Sequence, residues 1–599
     1  MANETHDPNA PSPAAEEATT PETPARRSTR RRFLGAAGAT TVGAAVASRV
    51  NLVRAQARGE PSAERGRNDA YQNERQRRRA TQVRIDAAWA DYQAPVAPQP
   101  TNGDEERYAN KIGTDTRGLP HDDKGEVDPA AWALAARAYA SRDPADFEKI
   151  PLGGTRKQVN PLGTLASSLL GVSAPQIALP PAPALASGWK ATEAVELYWK
   201  ALLRDVPFHA YESHPDVHEA ADELSSLPDY AGPKRNGRVT PDVLFRGSVT
   251  YVDPRDPTGR TPKHVIPPGV LEGPYLSQLI LRDIPYGGTN ISGLFRVPVA
   301  AQENDFLTSY DEWLAVQNGA APKRSIKFDA PRRIFTGRDL AEWSHGGAPS
   351  FWGAALLLSA APSSDPSVVG GLGAPLSPTN PYLKSKTQAG GSGSFAIGHL
   401  QGLLALAGSY AIRVEYWQKW FVHRHLRPEA YGGLLHGKAA LGRDYPIHEY
   451  ALDSVAVART FSKFGTYLLP HAYPEGAPIH SSYPGGNASV SSIGATLLKA
   501  FFDESYVIPN PVQPDPRDPT KLIPYEGPPL TLGGELNKLA LNSAHGRGWA
   551  GIHARSDSAA AFAAGEQVAI SILRNERKAL IEPFEGFTFT KFDGTKVTV

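Results

Sequence analysis

Three short stretches of this 599-residue chain carry side chains able to hold and polarise a small anion. In the first, KWFVHRHLRPEA from Lys419 to Ala430, Lys419 and Arg427 stand eight residues apart at the end of a helical pattern that Pro428 cannot continue. Eight residues turn an ideal helix about 80° beyond two full turns, so both cations can face one side. The second, HSSYPGGNA from His480 to Ala488, places Gly485 and Gly486 before a helical segment, where unpaired backbone N–H groups can approach an oxyanion. The third, AHGRGWAGIHARSD from Ala544 to Asp557, offers Arg547 and His553. Six residues separate them by about 120° on an ideal helix, so they grip a ligand from different sides or across a break. Each feature taken singly has a plain structural reading: Lys419 and Arg427 as solvated helix charges, His553 as a structural imidazole. Together, three fixed cations, a Gly-rich helix entrance and an imidazole describe a pocket for a compact tetrahedral oxyanion.

The elements that must position these groups are mostly helices. Thr192 to Arg204 and Phe395 to Phe421 place apolar residues at three- and four-residue intervals, and similar patterns run over 489–502, 534–543 and 558–574. Two loops lie between them, 361–394 rich in Gly, Pro and Ser, and 505–532 crowded with proline. Strict alternation occurs only in the tail, FTFTKFDGTKVTV from Phe587 to Val599, and its Asp593-Gly594 pair predicts a type I′ hairpin. An all-α fold with long loops and a small C-terminal β-hairpin follows.

Lys and Arg number 63 against 62 Asp and Glu, a net charge of +1 that argues against a nucleic-acid partner. With no Cys, disulfides, thiolate metal sites and cysteine nucleophiles are excluded, and the single Met stands at position 1. Such freedom from oxidisable sulfur suits a protein working beside a strong oxidant, although compositional drift explains it equally well. Thr29 to Leu34 (TRRRFL) spells a twin-arginine export signal, followed by a small-residue apolar stretch too short to span a bilayer. Ala55, Gln56 and Ala57 offer a cleavage site. The expected organisation is a signal peptide over 1–57, a polar arm over 58–91 and a helical domain over 92–599, with the anion-site half at about 395–580. Location is then periplasmic or extracellular, without a stable membrane anchor.

The order Lys-x7-Arg-Pro, Pro-Gly-Gly-Asn and Gly-Arg-x5-His resembles the vanadium-dependent haloperoxidases, which share their site with the phosphatidic-acid phosphatase type 2 superfamily. NGDE at Asn102, GLPHD at Gly118, IPLG at Ile150, ELYWKALLRDVPF at Glu196, GPYLSQ at Gly273, TGRDL at Thr336 and GELNKL at Gly534 look like the algal bromoperoxidase branch. Coverage is roughly residues 80 to 595. The resemblance implies two four-helix bundles and a vanadate cofactor, with His553 on the metal and Lys419, Arg427, Arg547, Gly485 and Gly486 about its oxygens. It further implies a peroxidase that uses hydrogen peroxide to oxidise halide, bromide favoured, to hypohalous acid or a halogenated organic product. Lys419 would act on the peroxide, and a homo-oligomer, dimer or larger, is expected.

Two positions depart from the family's Pro-Ser-Gly-His. Gly485 lacks the serine hydroxyl, and Asn487 replaces a histidine that serves as acid and base; an amide orients but does not titrate. His480, seven residues earlier, is the best substitute base, with His423, His425 and His545 behind it. These departures leave two other readings open at this point. One is a vanadium-independent relative performing acid-base isomerisation, rearrangement or phosphatase chemistry in the same pocket, and the other is a non-catalytic oxyanion-binding protein.

Overall fold

Side-chain oxygens open many of the helices. Asp128 accepts from the Ala131 N–H, Ser187 from Lys190 and Thr531 from Gly534, each supplying an acceptor that the first helical turn lacks. The structure, a computed structural model, describes residues 70–599 apart from 301, 347–349 and 366. The twin-arginine stretch, its cleavage site and residues 58–69 of the polar arm lie outside the described residues.

Twelve helices of eight residues or more are described: α1 Ala70–Gln93, α2 Pro129–Ser141, α3 Gly188–Leu203, α4 Pro215–Ser226, α5 Tyr310–Gln317, α6 Ser350–Ser359, α7 Ile397–Gln418, α8 Pro428–Leu441, α9 Val455–Phe464, α10 Gly486–Phe501, α11 Leu532–Trp549 and α12 Arg555–Ala579. Helices α7, α10, α11 and α12 pack on one another as one bundle, with α10 touching the other three. In a second group α3 packs against α4, α8 and α9, and it also touches α11 of the first. All of α11 except Gly533 is buried, as expected of a helix apolar or paired on every side at the centre of a core. By contrast α1, the part of the polar arm that is described, buries no residue.

Several local details differ from the sequence reading. Among the described residues there are four two-stranded antiparallel sheets rather than one: β1 Val249–Val252 with β2 Pro262–Val265, β3 Ile284–Tyr286 with β4 Thr289–Ile291, β5 Val512–Pro514 with β6 Leu522–Pro524, and β7 Thr588–Thr590 with β8 Lys596–Thr598. The first three escape a pattern search because their short strands, unlike those of the tail, do not lie within a longer alternating run such as FTFTKF. At the tail the register pairs Phe589 with Val597, but the turn is not type I′. Gly594 has positive φ and Asp593 does not; the Gly594 N–H donates to the Lys591 carbonyl and Lys591 N–H to Thr595, a three-residue loop with glycine in the left-handed position.

Candidate functional site

Lys419 and Arg427 do meet, but not along one helical face. Helix α7 ends at Gln418 and Lys419 opens a π-helical turn to His423, closed by Arg424 in left-handed backbone at φ 36°. Arg427 is the residue before α8, with Pro428 at its first position. Proline there loses no hydrogen bond, since that N–H has no partner in any helix, so it starts the second helix as well as stopping the first. Both cations are fully buried. Lys419 Nζ donates to the carbonyls of Ser481 (2.8 Å) and Ser482 (3.2 Å) and lies 3.1 Å from Glu415 Oε1, one turn earlier. Burial lowers Lys419 to about 8 and Arg427 to about 10. The Arg427 guanidinium is held on all sides, with Nε on the His480 carbonyl (3.0 Å), Nη1 on the Ile552 carbonyl (2.8 Å) and 3.1 Å from His553 Nε2, and Nη2 3.0 Å from His480 Nδ1.

His553 reaches this cluster across a break, the second of the two arrangements its spacing allowed. Helix α11 stops at Trp549, Gly551 turns the chain at φ 89°, and α12 begins at Arg555. His553 Nδ1 lies 3.0 Å from Asp557 Oδ2, which also accepts from the Ala554 N–H (2.9 Å) and the Ser482 hydroxyl. A carboxylate accepting at Nδ1 fixes the proton there and leaves a lone pair on Nε2, directed at Arg427. Burial and the nearby Arg427 lower His553 to about 3, so the imidazole is neutral. Burial works to raise Asp557, yet its hydrogen bond from His553 and that ring's proximity outweigh it and keep the carboxylate ionised.

Gly485 precedes α10 and offers no side-chain cap; its own N–H donates to the Asp557 carbonyl at 2.8 Å. The N–H groups of Gly486, Asn487 and Ala488, in the first turn, have no acceptor within the helix. A Cβ at Gly485 would stand 3.2 Å from that Asp557 oxygen, and one at Gly486 would stand 2.8 Å from Glu415 Oε2, closer than real Cβ atoms approach. Asn487 Nδ2 donates to the Ser344 carbonyl (3.3 Å), as does Arg547 Nη1 (3.2 Å), which also donates to the Tyr473 hydroxyl (3.1 Å). Asn487 and Arg547 therefore share one acceptor, and the buried Arg547 Nε has no partner.

His480 lies against Arg427, its ring 5.0 Å from that of Tyr416; burial, Lys419 and Arg427 drive it far below the usual imidazole range. His425 Nε2 is 3.0 Å from Lys190 Nζ, while His423 and His545 are buried, each with an unpartnered Nε2. A cavity of 590 Å³ among Asp305, Glu312, Arg324 and Lys463 holds none of these residues. Sequence reasoning missed Asp557, Ser482 and Glu415. Two of the three carried a signal: Asp557 lies four residues after His553 and Glu415 four before Lys419, the spacing of neighbours on a helix surface.

Lys419, Arg427 and the His553 lone pair gather around the 480–482 backbone, and Arg547 meets the start of α10 through the Ser344 carbonyl that it shares with Asn487; cations, helix N–H groups and an imidazole are the donors that suit a tetrahedral oxyanion. Among the described residues, no three His, Asp or Glu side chains gather into a cage for a cation.

No family model matches the chain. A vanadium-dependent bromoperoxidase of Ascophyllum nodosum is 32% identical over 501 residues, 80% of this chain and 85% of that one. Vanadium-dependent bromoperoxidases of Corallina pilulifera and Corallina officinalis are each 31% identical over an alignment that covers 86% of this chain and 97% of theirs. Among solved structures, the homohexameric second vanadate-dependent bromoperoxidase of Ascophyllum nodosum matches with a TM-score of 0.76 at 28% identity, covering 91% of this chain and 95% of its own. Identity at this level across most of both chains, on the same mostly helical architecture, means that the chain belongs to the vanadium-dependent haloperoxidase family.

Proposed function

We propose that this chain is a vanadate-dependent haloperoxidase that uses hydrogen peroxide to oxidise halide, bromide more readily than chloride, to hypohalous acid or a halogenated organic product. The observation that carries this reading is His553, whose Nε2 lone pair is held toward the buried Arg427 by the Asp557 carboxylate on its other nitrogen. Vanadate fits this donor set, with Nε2 of His553 as ligand to the metal and Lys419, Arg427, Arg547 and the first N–H groups of α10 about its oxygens. The unpartnered Arg547 Nε marks one donor left over for such a guest. When bound, pentavalent vanadium supplies a Lewis acid that activates peroxide without changing its own oxidation state.

The chain's own residues do the rest. Asp557 keeps the His553 proton on Nδ1, so the nitrogen that faces the pocket keeps its lone pair free to coordinate. The carbonyls of Ser481, Ser482, His480 and Ile552 fix Lys419 and Arg427 in place, so negative charge developing in the pocket is stabilised without reorganisation. Burial strengthens those charges by keeping bulk water away. Asn487 orients Ser344 and takes no part in proton transfer, and Gly485 contributes backbone alone. Kinship with three bromoperoxidases favours this reading over isomerisation, phosphatase chemistry or passive anion binding.

Export by the twin-arginine route to the periplasm or beyond, cleavage after Ala57 and assembly into a homo-oligomer belong to the same proposal. Their supports are the TRRRFL stretch and the homohexameric state of the structural relative. Purified protein soaked in orthovanadate and desalted should retain a single vanadium per chain and then brominate an acceptor with peroxide and bromide, while His553→Ala retains none. Loss of all vanadium on desalting, or full retention by His553→Ala, overturns the assignment.

A further inference from the structure

One ionisable group in the oxyanion pocket has no role in the proposal above. Glu415, one turn before Lys419 in α7, is 1% exposed, and its Oε2 has no hydrogen-bond partner. That oxygen lies 2.8 Å from the place a Cβ on Gly486 would occupy. Gly486 is the first residue of α10, ahead of which Gly485 supplies no side-chain cap. A buried carboxyl is thus aimed at the electropositive start of a helix, through an opening that only glycine leaves. The charged groups facing it are Lys419 in the π-helical turn that follows its helix, 3.1 Å away, and Arg427 ahead of α8; from α10 it meets backbone.

A carboxylate in an anion pocket needs an explanation. Ionised, it repels an oxyanion guest; protonated, it becomes an O–H donor directed into the same space as the helix N–H groups. We propose that Glu415 is the proton-carrying residue of the oxyanion site, ionised against Lys419 when the site holds no anion, and protonated and hydrogen-bonded to the anion when one binds. Each anion that binds the ionised form then brings one proton with it. This rests on the reading of the pocket as the vanadate site.

Asn487, His553 and His480 are not free to do this. The Asn487 amide does not titrate and is engaged with Ser344. His553 holds its one proton against Asp557, and His480 is neutral beside two cations. Burial, opposed by Lys419 and Arg427, brings Glu415 up to about 7, where both protonation states are within reach near neutrality.

Calorimetry in buffers of different ionisation enthalpy tests this directly, with sulfate as the first probe because its charge is constant across about pH 6 to 9. Orthovanadate is the second probe, read as the difference between wild type and variant. Wild-type protein at pH 7, where Lys419 is largely charged and Glu415 is about half ionised, should take up roughly half a proton per anion, and its sulfate affinity should fall with pH above the Glu415 transition. Glu415→Gln should take up clearly less and bind sulfate with an affinity that falls less steeply with pH than that of the wild type. Equal proton uptake in the variant would place the proton on Lys419 or His480 and overturn the proposal. Should Glu415→Gln fail to fold, infrared difference spectra of the wild type decide: added anion must bring up the C=O band of a protonated carboxyl, and its absence overturns the proposal equally. Failure of wild type to bind either anion would instead remove the vanadate reading itself, whereas vanadium retention with unchanged uptake in Glu415→Gln would remove Glu415 alone.

Discussion

At the scale of single residues, the chemistry of His553 is decided by its neighbour. The ring could carry its proton on either nitrogen, and the 3.0 Å contact from Nδ1 to Asp557 settles which. Asp557 is in turn oriented by the Ala554 N–H and the Ser482 hydroxyl, so the carboxylate cannot swing away without leaving two donors unpaired. Asp557→Ala should leave the imidazole proposed to bind vanadium in place but free to choose its tautomer. Vanadium affinity, measured by equilibrium dialysis, should fall about 10- to 100-fold, the usual effect of removing the partner that orients a metal-ligating histidine. Unaltered affinity in that variant would show that the lone pair on Nε2 does not depend on Asp557.

At the scale of elements, the start of α12 must be pinned if His553 and Asp557 are to stay registered with Arg427. Helix α3 supplies the pin. Glu196 takes Arg555 through two contacts of 2.9 and 2.6 Å and also pairs with Lys200 at 2.8 Å, while Glu193 accepts from the Ser556 N–H (2.7 Å) and hydroxyl (2.9 Å). All of these side chains are buried, so removing one partner leaves an uncompensated charge in the core. Glu196→Ala should lower unfolding stability in denaturant titrations by about 3 to 5 kcal/mol. A loss no larger than that of a surface ion pair, below about 1 kcal/mol, would contradict the central placement of the pair.

At the scale of the whole molecule, several histidines are wholly or partly buried as neutral rings. Burial lowers His121 and His471 to about 4 and His423 and His553 to about 3, against an ordinary value of 6.5. The unfolded chain takes up a proton at each ring below its ordinary value and the folded chain does not. The stability these rings contribute is therefore complete above 6.5 and is drawn down as pH falls toward 4 and 3. Each pH unit in that window removes about 1.4 kcal/mol per ring. The melting temperature measured at pH 5 should accordingly lie well below that at pH 7, and equal values would contradict neutral burial of these four imidazoles.

Much of the proposed site was legible without coordinates. Lys419, Arg427, Gly485, Gly486, Arg547 and His553 announce themselves through residue type and spacing, and the long helices through periodicity and caps, because those signals arise between residues a few positions apart along the chain. What sequence could not decide was which distant groups end up facing each other. That Lys419 and Arg427 stand on two sides of a break, that Asn487 and Arg547 converge on the Ser344 carbonyl, and that Glu415 fills the opening at Gly486 all follow from how α7, α10, α11 and α12 pack. Even the i,i+4 partners Glu415 and Asp557 were visible only as neighbours on a helix; their burial, which makes one a trapped acid and the other a fixed carboxylate, comes from the helices that cover them. Spacing along the chain is local, whereas the dielectric and the company a side chain keeps are set by elements hundreds of residues away, and these belong to the tertiary structure alone.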